Sequence, residues 1–474
     1  MLCNHYEKNQ LKSAFHRIIM QRKDSSALLC YYPKRDGVCK QGEAGGPAQD
    51  LDLGINGRGP GERMRAPGRR TAVNRKDHDV MKRFAASLLA ALMVLTMAAC
   101  GGNTNQQSST PADGGNSSAP AAPAGETIKI GCLAPLTGEV SVYGIATYQG
   151  IKMGVDEINA AGGIDGKQIE LIVMDEKGDS VEAVNAYNSL VDQGVVAIIG
   201  DVTSKPCIAV AEVAAEDNMP MLTATGTAAE ITTIGSNVFR TCFMDPFQGQ
   251  IMATFAADNL GAKKVAVMYD TGSDYSQGLA DSFKAQADTK GMELTAFEGY
   301  GTADTDFTSI LNKIIATSPD AIFVPDYYGD VSLILGQARA AGYTGAMLGG
   351  DGWDGVLGVM PADKMTATDN GFFSNHYATA DEAAAKFLTQ YKTLFDMDGN
   401  AFSALGYDSA YIMADAIKRA GSTDKDAIVT ALAATDLECV TGHVTFDANG
   451  DPIKSVAVTE FKGGEAVLNA KVSA

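Results

Sequence analysis

The sequence predicts an α/β protein of two doubly wound lobes. Three observations carry the prediction. From Thr127 onward, short runs rich in Ile and Val alternate with longer stretches of helical period, the alternation occurs twice, and Gly-rich or hydroxylated segments follow the strand-like runs. Apolar runs joined by helical stretches are the signature of parallel strands with crossover helices. At 474 residues and 45% hydrophobic content, the chain can bury more than one core.

The order of elements begins with segments outside this pattern. Residues 1–80 are Arg- and Gly-rich (GRGPGERMRAPGRR) with no sustained period, and translation is expected to start at Met81. Residues 81–99 read as an export signal: Lys82 and Arg83 form a basic region, Phe84 to Met97 an apolar stretch too short for a comfortable membrane span. The ending Met97-Ala98-Ala99-Cys100 resembles a bacterial lipobox, with Met97 in place of the more usual Leu, so Cys100 is the expected lipidation site. Residues 100–126, rich in Gly, Ser, Ala and Pro, cannot bury enough apolar surface to order themselves and read as a flexible tether.

The first lobe is expected to run through IKIGCL, a helix with Ile151, Val155 and Ile158 on one face, QIELIVM, a helix after Ser180, VVAIIG, a helix through Ile208 to Ala215, and Met219 to Leu222. In PMLTATGTAAE, Thr227 and Glu230 have capping-box spacing, so a helix is expected to open there. VFRTCFMDPFQG separates the halves. The second series is KVAVMYD, a helix after Tyr275, MELTAF, a helix after Asp306, DAIFVP, a helix from Asp330, and GAMLGG. In such sheets ligands sit at the C-terminal strand ends, beside helix N-termini with free N–H groups. The segments PLTGEVSVYG, DVTSKP, TATGT, DTGSDYSQG, DYYGD and GDGWDG all fall there.

Charge and composition exclude several functions. Residues 1–99 hold 17 Lys and Arg against 9 Asp and Glu, so the remaining 21 basic and 48 acidic residues leave a body near −27. Such a surface repels nucleic acid and anionic membrane. None of the eight cysteines stands in a CxxC or a Cys/His cluster, and only His376 and His443 lie beyond residue 80, so no metal or cofactor is expected. FDMDGN and FDANGDP lack the Glu of a calcium loop and read as turns. No GxSxG, HExxH or P-loop is present, and an enzyme is not expected.

The order of APLTGEVSVYG, GIKMGVDEINAAGGIDGKQIEL, IIGDVTS, PMLTATGTAAE, FRTCFMDPFQGQ, DYSQGLADSF, QARAAGY and LGYDSAYIMADAIKRAGS over residues 127–472 resembles the leucine/isoleucine/valine-binding protein family, the substrate-binding components of branched-chain amino-acid ABC importers. The resemblance implies the periplasmic binding protein type I fold, two lobes joined by a three-crossing hinge, with residues 127–247 and 375–438 in lobe 1 and 248–374 and 439–474 in lobe 2. It also implies an extracytoplasmic protein that binds an amino acid and partners permease subunits. Carried over position by position, the α-carboxylate falls to Ser204 and Thr227. The ammonium falls to the carbonyl of Thr225, where the family more often has Ala, and to Asp351, one methylene shorter than the usual Glu. Tyr143, Tyr275 and Tyr327 match the aromatic cleft walls.

From the residues alone, Ser204 reads as an ordinary N-cap before Lys205-Pro206 and Asp351 as a turn carboxylate between glycines. Trp353 suits a cleft rim as well as a core, Asp245 and Gln248 suit the crossing between lobes, and Tyr407-Asp408 reads as structural. Two other functions compete with the solute receptor: an amino-acid or amide sensor on the same fold, and a surface enzyme.

Overall fold

The computed structural model describes residues 126–377 and 382–472. The segments expected to be signal, lipidation site and most of the tether therefore lie outside the described residues. The first sheet contains β1 (Ile128–Ala134), β2 (Ile169–Asp175), β3 (Ala197–Ile199), β4 (Met221–Thr223) and β5 (Val238–Arg240), all parallel, in the order β2-β1-β3-β4-β5. Successive residues of one strand serve opposite faces. Ile130 and Cys132 of β1 pack with Tyr143, Ile151 and Val155 of helix α1 (Ser141–Ala160), whereas Leu133 and Ile198 join α2 (Ser180–Asp192) and α3 (Ser204–Glu216) through Leu190 and Val210. Both faces are covered, which is why the strands read as continuous apolar runs.

The second sheet has the order β14-β13-β10-β9-β8-β6-β7. Its parallel strands are β6 (Lys264–Asp270), β7 (Glu293–Tyr300), β8 (Ala321–Phe323), β9 (Ala346–Gly349) and β10 (Gly371–Asn375). Helices α4 (Asp245–Asp258), α5 (Asp274–Thr289), α6 (Thr308–Ile315), α7 (Tyr328–Ala340) and the short α8 (Val356–Val359) accompany them. An antiparallel hairpin, β13 (Val456–Lys462) and β14 (Glu465–Val472), closes the far edge. Its turn is Gly463-Gly464, with φ of 61° and 82°, the left-handed pair a two-residue hairpin loop requires.

Between β10 and β13 the chain forms α9 (Glu382–Phe395), α10 (Ala401–Ala420), α11 (Lys425–Ala433) and a two-stranded ribbon of β11 (Asp436–Cys439) and β12 (Gly442–Thr445). Helix α10 lies on α1, β3 and β4, so it belongs with the first sheet. The two helices approach at glycines: a Cβ on Gly150 would lie 1.9 Å from the Ser403 carbonyl oxygen, and one on Gly406 2.3 Å from that of Thr147. The chain thus passes between the sheets after β5, after β10 and before β13. This is the two-lobe, three-crossing architecture the sequence predicts.

Two details differ from the reading of the sequence, and the place of Trp353, left open there, is decided. The Thr227–Glu230 capping box does not open an α-helix: only a 3-10 turn, Ile231–Thr233, follows, and the Glu230 side chain is exposed. The segment starting at Val238 is not a mere connector but begins with the edge strand β5, and β10 and the final hairpin extend the second sheet beyond GAMLGG. Trp353 is fully buried, stacked parallel to Phe461, with its indole N–H donating to the Val324 carbonyl at 2.8 Å, so it is a core residue. Asp408 accepts from the Val440 and Thr441 amides at 2.8 and 2.9 Å and anchors the ribbon turn.

Candidate functional site

The first lobe builds its share of the cleft from two strand ends. After β3 the chain turns through Gly200, whose φ of 141° and close approach to the Leu133 carbonyl suit glycine alone, and enters α3 at Ser204. Ser204 is the first helical residue rather than the N-cap. That place belongs to Thr203, whose side chain makes no capping bond; Pro206 has no N–H, and the Ser204 N–H faces the Tyr327 hydroxyl, which leaves the Lys205 amide as the free donor of this turn. The Ser204 hydroxyl accepts from the Ala228 amide at 3.2 Å, leaving its own proton to donate. After β4, Thr223 donates to the Asp201 carbonyl at 2.6 Å and Thr225 to the Val202 carbonyl at 2.7 Å, which ties the two loops together. With its hydroxyl proton thus used, Thr225 has only acceptors to offer a ligand, its hydroxyl oxygen and its backbone carbonyl. Thr227 is buried, and its carbonyl accepts from the Asp245 amide at 2.9 Å.

The second lobe supplies Tyr275 from the first turn of α5, Tyr327 from the N-cap of α7, and Asp351 from the turn after β9. The Tyr275 and Tyr327 rings stack with centroids 4.8 Å apart. Burial, and then nearby carboxylates, push both phenols well above their ordinary range, so both stay neutral. Asp351 is buried, and three side chains hold it. Tyr275 donates to Oδ1 at 2.9 Å, Gln248 to the same oxygen at 3.1 Å, and His376 Nε2 lies 3.0 Å from Oδ2. Gln248 also accepts from the Asp351 amide at 3.0 Å and from Ser374 Oγ at 2.6 Å, which fixes its orientation. A carboxylate has about four lone-pair sites, so one remains for a ligand.

Together these walls form a small cleft, with about 210 Å³ of empty space including the part open to solvent, lined by Thr203, Ser204, Thr225 and Thr227 on one side and by Tyr275, Tyr327, Asp351 and Gly352 on the other. Val202 and Phe402 add apolar surface. Asp245 lies just outside the lining, its carboxyl held well above the carboxylate range by burial and by the charge of Asp351.

The periplasmic binding protein family matches residues 127–466. The chain belongs to that family. Within it, the chain is 33% identical to Leu/Ile/Val-binding protein homolog 3 of Brucella melitensis over 68% of this chain and 88% of the relative. The leucine-binding protein LivK of Thermotoga maritima is 35% identical with a TM-score of 0.69, the match covering 73% of this chain and all but 1% of the other, which is covered to 99%. LivJ of Streptococcus pneumoniae, solved in complex with isoleucine, is 34% identical with a TM-score of 0.69 over 73% of this chain and 100% of its own. The resemblance to Leu/Ile/Val-binding proteins read from the motifs is borne out.

In this binding protein, six of the seven side chains singled out in the sequence line one cavity: Ser204, Thr225, Thr227, Tyr275, Tyr327 and Asp351. Tyr143 stands one layer back. It is fully buried, stacks on Phe402 at 4.1 Å, donates to the Gly352 carbonyl and accepts from the Tyr328 amide at 3.0 Å. These bonds run from lobe to lobe, as do Val142 N–H to Tyr328 Oη at 3.4 Å and Ala401 N–H to Asp354 Oδ2 at 2.9 Å, so the cleft is closed. Sequence reasoning missed Phe402, and missed Gln248 and His376 as the holders of Asp351. The only signal for these was Gln248 in DPFQG, read there as part of the crossing. Cys100 lies outside the described residues. Cys132, Cys207, Cys242 and Cys439 are unpaired thiols. Among the described residues no His/Cys/Asp/Glu group could hold a metal, and no helix is long and apolar enough to cross a membrane.

Proposed function

We propose that the chain is an extracytoplasmic, lipid-anchored solute receptor that closes on a free L-α-amino acid with an apolar side chain and delivers it to the permease of an ABC importer. The observation that carries the reading is the shared cavity. A carboxylate with one open lone-pair site and a helix N-terminus without a side-chain cap line the same small cleft, as the two ends of a zwitterion require. In this reading the Ser204 and Thr227 hydroxyls and the Lys205 amide take the α-carboxylate. The Thr225 carbonyl and Asp351 take the ammonium, and Val202, Phe402 and the Tyr275 and Tyr327 rings face an aliphatic side chain. Four or five hydrogen bonds to charged groups, at roughly 1.5–3 kcal/mol each, suffice for the roughly 8 kcal/mol of micromolar affinity. The relatives named for leucine, isoleucine and valine favour branched-chain ligands. Export and lipidation at Cys100 rest on the sequence of residues 81–100.

A thermal-shift screen of the twenty amino acids and simple amides, followed by calorimetry, tests the reading. Leucine, isoleucine and valine are expected to raise the melting temperature most. Stabilisation by an amide or urea alone would reject the amino-acid assignment. Mass spectrometry of the membrane-bound form tests acylation at Cys100.

A further inference from the structure

His376 is a buried ionisable group next to the head-group site, where it holds Asp351, and its own proton is the part of that contact the recognition chemistry above leaves unexplained. It follows β10 directly, at the point where the chain leaves the second sheet. Its ring stacks on Phe243 with centroids 3.7 Å apart, and Nε2 faces Asp351 Oδ2 at 3.0 Å. Nδ1 is buried with no hydrogen-bond partner among the described residues. A carboxylate opposite Nε2 requires the proton there, so Nδ1 of the neutral ring is a bare acceptor. A second proton would have to sit on Nδ1, creating a buried N–H with nothing to receive it. It would also place a positive charge beside the carboxylate that serves the ligand ammonium.

The charged groups around the ring pull in both directions. Asp351, on the turn after β9, favours a proton, whereas Lys454, ahead of β13, opposes it, and burial is the largest influence, holding the ring below its ordinary value. Asp245 on α4 shares the Gln248 amide with Asp351, which donates to both at 3.3 and 3.1 Å. Asp354, whose carboxyl burial pushes up to about 6, lies beside Asn375. Asp354 would take up a proton on closure where His376 would shed one, so the sign of proton exchange separates them.

We propose that the closed, loaded cleft requires a neutral His376, so that amino-acid capture expels the ring's proton to solvent and affinity falls as the medium turns acidic. The proposal rests on Asp351 being the ammonium partner in an amino-acid cleft. It makes His376 a positioning residue whose charge gates closure.

The test is calorimetric titration of the intact protein with L-leucine, L-isoleucine and L-valine from pH 5 to 8, in paired buffers of different ionisation enthalpy. The expected result is constant affinity at neutral and alkaline pH and a fall approaching tenfold per pH unit on the acid side, once the ring of the unliganded protein is protonated. Proton release approaching one per ligand should accompany it. His376→Gln retains an amide donor for Asp351 without the titration, and should bind at pH 7.5 while losing the acid-side fall and the proton release. Proton uptake or none by the unaltered protein at pH 5.5–6 overturns the proposal, whether or not the variant folds, and so does a wild-type slope in His376→Gln. If none of the three ligands binds at pH 7.5, the amino-acid reading fails and takes this linkage with it. Binding without proton release rejects the linkage alone.

Discussion

Glu176 and Asp201 form a second acidic pair, beneath the loop that leads to Ser204. Both are fully buried. Glu176 accepts from the Gly178 amide at 2.7 Å and Asp201 from the Val202 amide at 2.6 Å, while the other oxygen of each has no donor among the described residues. One proton shared between the two carboxyls satisfies both. Burial, reinforced for Glu176 by the charge of Asp201, raises Glu176 to about 9, and burial raises Asp201 to about 7. Folded-state values above the unfolded ones mean that the native protein holds more protons than the unfolded chain. The contribution is therefore complete below about pH 4 and is lost as pH rises through 7 toward 9. Glu176→Gln keeps a donor for Asp201 and removes one titration. Urea unfolding at pH 6 and pH 9 should show that the variant loses less stability across this interval than the unaltered protein, and equal losses would disprove the shared proton.

At the scale of elements, the loop from Ala224 to Ile231 has no helix to hold it, and Arg240 of β5 takes that role. Its guanidinium donates to the Gly226 carbonyl at 3.1 Å and the Ala228 carbonyl at 2.9 Å, and its Nε lies 2.5 Å from Asp451 Oδ1 in a fully buried setting. Asp451 also accepts from Thr232 at 3.0 Å. A buried ion pair is costly to break from one side, since the remaining charge is stranded. Asp451→Ala should lower stability by about 3 kcal/mol in urea unfolding and weaken leucine, because the segment carrying Thr225 and Thr227 loses its anchor. Unchanged affinity in a destabilised variant would separate Arg240 from the site.

The same loop shows how far the sequence could be read. Strand runs, crossover helices and the small residues at strand ends were legible because their periodicity and turn chemistry are local. The segments TATGT and GDGWDG could be placed since they follow such strands, and the resemblance then picked out Thr225, Thr227 and Asp351 within or beside them. The helix expected at Thr227 was not legible correctly, because its capping signature was outweighed by Arg240 drawing the carbonyls of residues 226 and 228 toward itself. Phe402 reaches the cavity only through the close packing of α10 on α1, and Gln248 and His376 reach Asp351 across more than a hundred and exactly twenty-five residues of chain respectively. Tertiary contacts of that kind leave no periodic trace.

For the whole molecule, closure rests on hydrogen bonds that run from lobe to lobe, and Tyr143 makes two of them. It belongs to α1 of the first lobe, yet its hydroxyl bonds Gly352 and Tyr328 of the second. These bonds exist only when the lobes meet, so they stabilise the closed state relative to the open one and leave each lobe's own folding untouched. Tyr143→Phe preserves the stack on Phe402 and removes both. At a net 0.5–1.5 kcal/mol per hydrogen bond, the closed state should lose about 1–3 kcal/mol, an affinity loss of roughly 5- to 150-fold. Since opening precedes escape, the loss should fall mainly on the dissociation rate. Stopped-flow release of leucine from the variant should be correspondingly faster, with the melting temperature of the ligand-free protein nearly unchanged. Wild-type release would mean that the lobes are held by other contacts, and a large fall in ligand-free stability would place Tyr143 in the folding core instead of the latch.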